Sequence, residues 1–106
     1  MKRIWFKPDC VEWIREGRKT TTFRKNKKEG IYQVVKGSWF KPERVGLVIK
    51  LIPIGQTDAK TVIERHFHEE GFNSPWHFER WLRENNLDLP EVGFLHKIEV
   101  LGGIRP

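Results

Sequence analysis

The segment from Gly17 to Arg24, which reads Gly-Arg-Lys-Thr-Thr-Thr-Phe-Arg, is the part of the chain best suited to chemistry. It carries three cations and three hydroxyls within eight positions. Hydroxyl groups and positive charges displayed together suit an anionic or carbonyl-bearing ligand. Threonine and phenylalanine also favour extended backbone, so the sequence predicts a strand from Lys19 to Arg24.

The alternation of side chains along a strand limits which of these groups can meet. Thr20, Thr22 and Arg24 share one face of a regular strand, and Lys19 lies on the other. For Lys19 and Thr22 to act in one site, the backbone must contain a bulge or turn near residues 17–20. The alternative is that both are surface residues of an edge strand.

Two segments carry a resemblance to a known family. The Gly17–Arg24 segment follows a predicted short helix, and Glu69-Glu70-Gly71-Phe72 precedes another helix. Together with the closing strand, this layout resembles the ASCH family of small β-barrel domains related to the PUA fold, over nearly the whole chain. The resemblance implies binding of RNA or a nucleobase. Some bacterial members look like amidohydrolases that remove the acetyl group from N(4)-acetylcytidine, so the resemblance also implies this activity.

The same resemblance implies three catalytic residues, Lys19, Thr22 and Glu70, with Glu69 as an alternative to Glu70. A threonine nucleophile needs a base, and a lysine can serve only where burial or a nearby cation lowers its pKa. The carboxylate would bind the exocyclic group of the base or pass a proton to the departing amine. For Glu70 the alternative is an exposed glutamate at a helix end.

Basic residues are concentrated in the first half of the chain. Residues 1–50 contain 14 Lys and Arg against 5 Asp and Glu, whereas residues 51–106 contain 6 against 9. A surface formed by this basic half can bind phosphate groups. A basic surface that only contacts solvent would have the same excess of Lys and Arg. We expect RNA or a modified nucleoside as the partner. The predicted binding residues are Arg18, Arg24, Lys25, Lys27, Lys28, Trp39, Phe40 and Arg44.

Two other functions remain open. A non-catalytic RNA-binding module would rely on Lys25, Lys27, Lys28 and Arg44 more than on Thr22, and its affinity would fall steeply with salt. A ribonuclease would need an acid and a base flanking a ribose hydroxyl, for which His66 with Lys19 is the available pair. Within the hydrolase hypothesis, Arg24 would hold either a phosphate or the developing oxyanion.

The remaining pattern predicts one α+β domain over residues 1–106. Its fold is a small PUA-like mixed β-barrel, with a short N-terminal helix and two inserted helices before the last strand. Asp9 is the predicted N-cap of the first helix and Gly17 its stop. The other predicted strands are Arg3–Phe6, Gly30–Gly37, Val45–Ile54 and Val92–Leu101. The inserted helices run from Asp58 to Gly71, with Thr57 or Asp58 as N-cap, and from Ser74, which is the second N-cap, to about Glu84.

Several features are expected to be structural or absent. The single cysteine, Cys10, excludes an internal disulfide and a multi-thiolate zinc site, and its apolar neighbours predict a buried residue. His66 and Glu70 lack a third metal ligand at a supporting spacing, so we expect no cofactor. His96 alternates with core positions of the last strand, which favours a buried structural histidine. Without an apolar run of membrane-spanning length or a signal peptide, we expect a cytoplasmic monomer with no membrane contact.

Overall fold

The computed structural model describes residues 1–38 and 40–103. Five strands form one mixed sheet in the order β1-β3-β4-β5-β2, in which β1 pairs with β3 in parallel and the other neighbours are antiparallel. The elements are β1 (Lys2–Trp5), α1 (Pro8–Arg15), β2 (Thr21–Arg24), β3 (Gly30–Ser38), β4 (Lys41–Asp58), α2 (Ala59–Arg65), α3 (Phe67–Glu70), α4 (Pro75–Glu84) and β5 (Val92–Gly102). The predicted α+β, barrel-like class is confirmed. The barrel is not closed, because β1 and β2 are the two edges of the sheet.

Strand β4 is much longer than the predicted Val45–Ile54. Its first residues pair with β3, beginning at Lys41 opposite Ser38, and its last residues pair with β5 as far as Asp58. A register shift between Pro53 and Gly55 accommodates the proline, which cannot donate a ladder hydrogen bond. Residues 41–44, which lie between the predicted third and fourth strands, therefore belong to β4 and pair with β3.

Helix α1 begins at Pro8, so its N-cap is Lys7 and not the predicted Asp9. Lys7 occupies the N-cap position without a side-chain hydrogen bond, and Pro8 opens the helix, a position that proline favours. The prediction of Asp9 as the cap is therefore wrong. The Asp9 carboxylate instead accepts a hydrogen bond from Trp81 Nε1 at 3.2 Å and ties α1 to α4.

The first inserted helix is divided into α2 and α3 at His66, whose backbone leaves the helical region at φ −118° and ψ 15°. The predicted caps of the inserted helices are confirmed, because Asp58 accepts from Thr61 N at 2.7 Å and Ser74 accepts from His77 N at 3.1 Å. The longest helix, α4, has ten residues. No helix in residues 1–38 and 40–103 is both long and apolar enough to cross a membrane.

The interior contains two groups of buried apolar side chains. The barrel cluster lies between the sheet and α1, and the helix cluster lies between the sheet and the inserted helices. Ile98 belongs to the first and Leu95 to the second, and the two side chains lie on opposite faces of β5. Main members of the barrel cluster are Ile4, Cys10, Ile14, Val34, Leu47, Ile49 and Leu51; the helix cluster consists of Phe23, Val62, Phe72, Phe78, Leu82 and Leu95.

Candidate functional site

A cavity of about 570 Å³ lies where the two edges of the sheet approach each other. Its walls come from the end of β1 and the start of α1, from β2, and from the aromatic side of α4. This volume falls in the range of small-molecule sites, about 300–1,000 Å³. The lining includes Trp5, Phe6, Lys7, Cys10, Lys19, Thr22, Arg24, Lys25, Glu70, Phe72, Phe78, Trp81 and Asp88.

A buried ion pair forms the polar part of this wall. Lys19 Nζ lies 3.2 Å from Glu70 Oε1, and the residues are only 6% and 3% exposed. The second carboxylate oxygen, Oε2, accepts a hydrogen bond from Thr21 Oγ1 at 2.5 Å. Because buried charges are costly without a partner, each member of the pair depends on the other.

The backbone between α1 and β2 explains how Lys19 reaches the cavity. Gly17 adopts a φ of +77°, and the amides of Arg18 and Lys19 both donate to Trp13 O, at 2.8 and 3.0 Å. Thr20 N then donates to Glu69 O at 2.7 Å, and β2 begins only at the next residue. The irregular backbone required at residues 17–20 is therefore present, and Lys19 precedes the strand.

Helix α3 presents the carboxylate of this pair. It is a single turn that ends at Gly71, whose φ is +108°. A side chain at this position would be strained, and its Cβ would lie 3.1 Å from a ring carbon of Trp13. Tight packing of the turn against α1 thus buries Glu70 beside Lys19, and Glu70 rather than Glu69 contacts the lysine.

Arg24 joins the two unpaired edges of the sheet. Its Nε donates to Thr22 Oγ1 at 3.1 Å, and Nη2 donates to Trp5 O at 2.8 Å. The guanidinium carbon lies 4.7 Å from the centre of the Phe6 ring. Burial lowers the pKa of Arg24, and none of the ion pairs found in the described part of the chain involves it.

Two further buried groups support the site. Burial raises the pKa of the Cys10 thiol, so this part of the wall is a neutral thiol. His96 is fully buried, as expected: its Nε2 accepts from Lys28 N at 2.8 Å, and Nδ1 lies 3.3 Å from Thr22 O. These bonds fix a neutral imidazole with its proton on Nδ1, which anchors the backbone of Thr22.

The structure brings together some of the predicted site residues and separates others. Lys19, Thr22, Arg24, Lys25 and Glu70 line the cavity. Arg18 instead donates to Gly71 O at 2.6 Å and lies over the Trp13 ring. Trp39 lies outside the described residues. The cavity walls as described do not include Lys27, Lys28, Phe40 or Arg44.

Sequence reasoning missed part of the cavity wall. The tetrapeptide Trp-Phe-Lys-Pro occurs at residues 5–8 and again at 39–42, and the predicted binding residues included Trp39 and Phe40 of the second copy but none of the first. The first copy lines the cavity, whereas Phe40 is 76% exposed. Thr21 was also missed, although strand alternation placed it on the same face as Lys19.

The cavity combines several kinds of polar side chain. A hydroxyl, an arginine and a buried lysine–carboxylate pair share one cavity, whereas residues 1–38 and 40–103 contain no cluster of three or more His, Cys, Asp or Glu side chains that could hold a metal ion. No family model, curated protein or solved structure matches the chain.

Proposed function

We propose that this cavity binds a modified nucleoside and hydrolyses an acyl group from the amino group of its base, as in N(4)-acetylcytidine. The observation that carries the proposal is the buried contact between Lys19 and Glu70 in the cavity that Thr22 also lines. The substrate class follows from the resemblance of the Gly17–Arg24 segment to the ASCH family.

The shape and composition of the walls support a flat, partly polar ligand. Phe6, Phe72, Phe78 and Trp81 line the cavity. Aromatic side chains offer large, rigid faces against which a nucleobase can stack. Lys19, Thr22 and Glu70 line the same cavity, so a stacked base can present its acylated amine to them while its ring contacts apolar surface.

Thr22 acts as the nucleophile. Arg24 Nε donates to its Oγ1, which leaves the hydroxyl proton available for removal and places a cation beside the oxygen as negative charge develops. A proton passes from Lys19 to Glu70 across their 3.2 Å contact, and the neutral amine then takes the proton of Thr22. Thr22 Oγ1 forms a bond to the acyl carbon.

Glu70 completes the reaction as an acid. It returns its proton to the nitrogen of the base as the carbon–nitrogen bond breaks, which releases cytidine and leaves an acyl ester on Thr22. Water then attacks the acyl carbon of this ester, and the Glu70 carboxylate takes a proton from the water. As acetate leaves, Lys19 donates its proton to the Thr22 oxygen and restores the hydroxyl. Redistribution of a proton between Glu70 and Lys19 and loss of one proton to solvent return the starting ion pair.

The test is chromatographic detection of cytidine released from N(4)-acetylcytidine. We expect release by the parent and a loss of about 100-fold or more in Thr22→Val. The matched control is Thr20→Val, because Thr20 is exposed and does not line the cavity as described; its rate should stay near that of the parent. No release by the folded parent would contradict the function, and a fully active Thr22→Val would contradict the nucleophile.

A non-catalytic RNA-binding module is the second candidate, and the exposed lysines favour it. Lys25 lies at the cavity and is exposed, and Lys27 beside it is also exposed. Binding that depends on phosphate contacts releases counterions and weakens steeply as salt rises. Titration of a single-stranded RNA at several salt concentrations tests this candidate, and an affinity independent of salt would contradict it.

A further inference from the structure

Arg24 has more hydrogen-bonding capacity than its observed partners use. A guanidinium carries five N–H donors, and the bonds to Thr22 Oγ1 and Trp5 O occupy two of them. A charged side chain in a protein interior usually has an oppositely charged partner. Glu70 interacts with Arg24 electrostatically, but none of the ion pairs within residues 1–38 and 40–103 includes Arg24, which lines the cavity.

Two lysines flank this arginine. The Arg24 guanidinium lies over the Phe6 ring. Lys7 follows Phe6 in the sequence, and Lys25 follows Arg24. Both lysines are exposed, and both line the cavity. Lys19 and Glu70 neutralise each other, which leaves three cationic side chains opposed by one further lining carboxylate, Asp88. This side of the cavity therefore attracts a ligand group with negative charge.

We propose that Arg24, Lys7 and Lys25 bind a phosphate of the ligand, so that the cavity receives a nucleotide rather than an uncharged nucleoside. The planar guanidinium matches phosphate oxygens in a bidentate geometry, and the lysines add charge at the cavity wall. The identity of the base rests on the proposed function, but the phosphate contact can be measured without turnover. The phosphate belongs either to a mononucleotide or to a phosphodiester within RNA.

Isothermal titration of three ligands at low ionic strength tests this subsite: cytidine, cytidine 5′-monophosphate, and a short oligocytidine RNA without terminal phosphates. We expect one or both phosphate compounds to bind at least about tenfold more tightly than cytidine. The Lys7→Gln/Lys25→Gln double variant should lose most of this preference. The Lys60→Gln/Lys97→Gln double variant is the matched control and should keep it, because Lys60 and Lys97 are exposed lysines outside the described cavity walls.

The outcomes separate the two proposals. Tighter binding of the monophosphate assigns the subsite to a free nucleotide, and tighter binding of the RNA assigns it to a phosphodiester. Equal affinity for all three ligands, no binding of any, or an unchanged preference in the double lysine variant overturns the subsite. If acetylcytidine is not hydrolysed but the phosphate preference is present, the proposed hydrolase fails and the subsite stands.

Discussion

The barrel cluster and the helix cluster are built from different side chains and have different neighbours. Aliphatic residues such as Val34, Leu47 and Ile49 dominate the barrel cluster and are fully buried. Half of the helix cluster is aromatic, with Phe72 stacked on Phe78 at 4.3 Å between ring centres. A buried ion pair and a cavity adjoin the helix cluster.

This difference follows from the open edges of the sheet. Where β3, β4 and β5 pair continuously, residues on their inner face fill the space with aliphatic groups and supply stability. Strands β1 and β2 do not pair with each other, and side chains span the gap between them. One of these contacts is the hydrogen bond from Arg24 to Trp5 O. The polar groups that a reaction needs are thus accommodated at the edge, where the packing is incomplete.

The largest expected effect is on the buried ion pair. Lys19→Met and Glu70→Gln should each lower the free energy of unfolding by about 3–5 kcal/mol, because each leaves a buried charge without its partner. The double variant should recover most of this loss, since the amide can still accept from Thr21. Urea unfolding measures all four proteins, and a double variant as unstable as the sum of the singles would contradict this account.

Matched leucine truncations compare the two clusters directly. Leu51 is 0% exposed in the barrel cluster, whereas Leu82 is 8% exposed and already lines the cavity. Leu51→Ala should cost about 4–5 kcal/mol, and Leu82→Ala only about 2–3 kcal/mol, because part of the space around Leu82 is open before the change. Equal losses in chemical unfolding would remove the distinction between the clusters.

The smallest expected effect is a dependence of stability on pH through His96. Burial lowers the pKa of His96 in the folded state, whereas the unfolded chain binds a proton near the ordinary value of 6.5. Stability is therefore full above about pH 6.5 and falls as the pH decreases toward the folded pKa, by up to about 1.4 kcal/mol per pH unit.

Unfolding midpoints between about pH 7 and about pH 5 measure this slope. His96→Gln should reduce this slope, because the variant lacks the imidazole that binds the proton on unfolding. A slope that is the same in His96→Gln and in the parent would show that other groups cause the acid sensitivity.

Local sequence signals predicted the elements whose determinants are local. Alternation identified β5, and hydroxyl or carboxylate caps identified the starts of α2 and α4. Local signals did not predict the features that depend on pairing between strands, such as the extension of β4 through Pro53. In the site, the motif identified Lys19 and Thr22, but the placement of Lys7 depends on how β1 and β2 approach each other, which no spacing in the sequence reveals.

The most direct test of the central claim is cytidine release by the Lys19→Met/Glu70→Gln double variant beside the parent. This variant removes the charged pair while keeping the fold, which thermal unfolding verifies in the same samples. The account predicts release of cytidine from N(4)-acetylcytidine by the parent and none above the buffer rate by the double variant. Release at the parent's rate by a folded double variant would contradict a catalytic role for the pair.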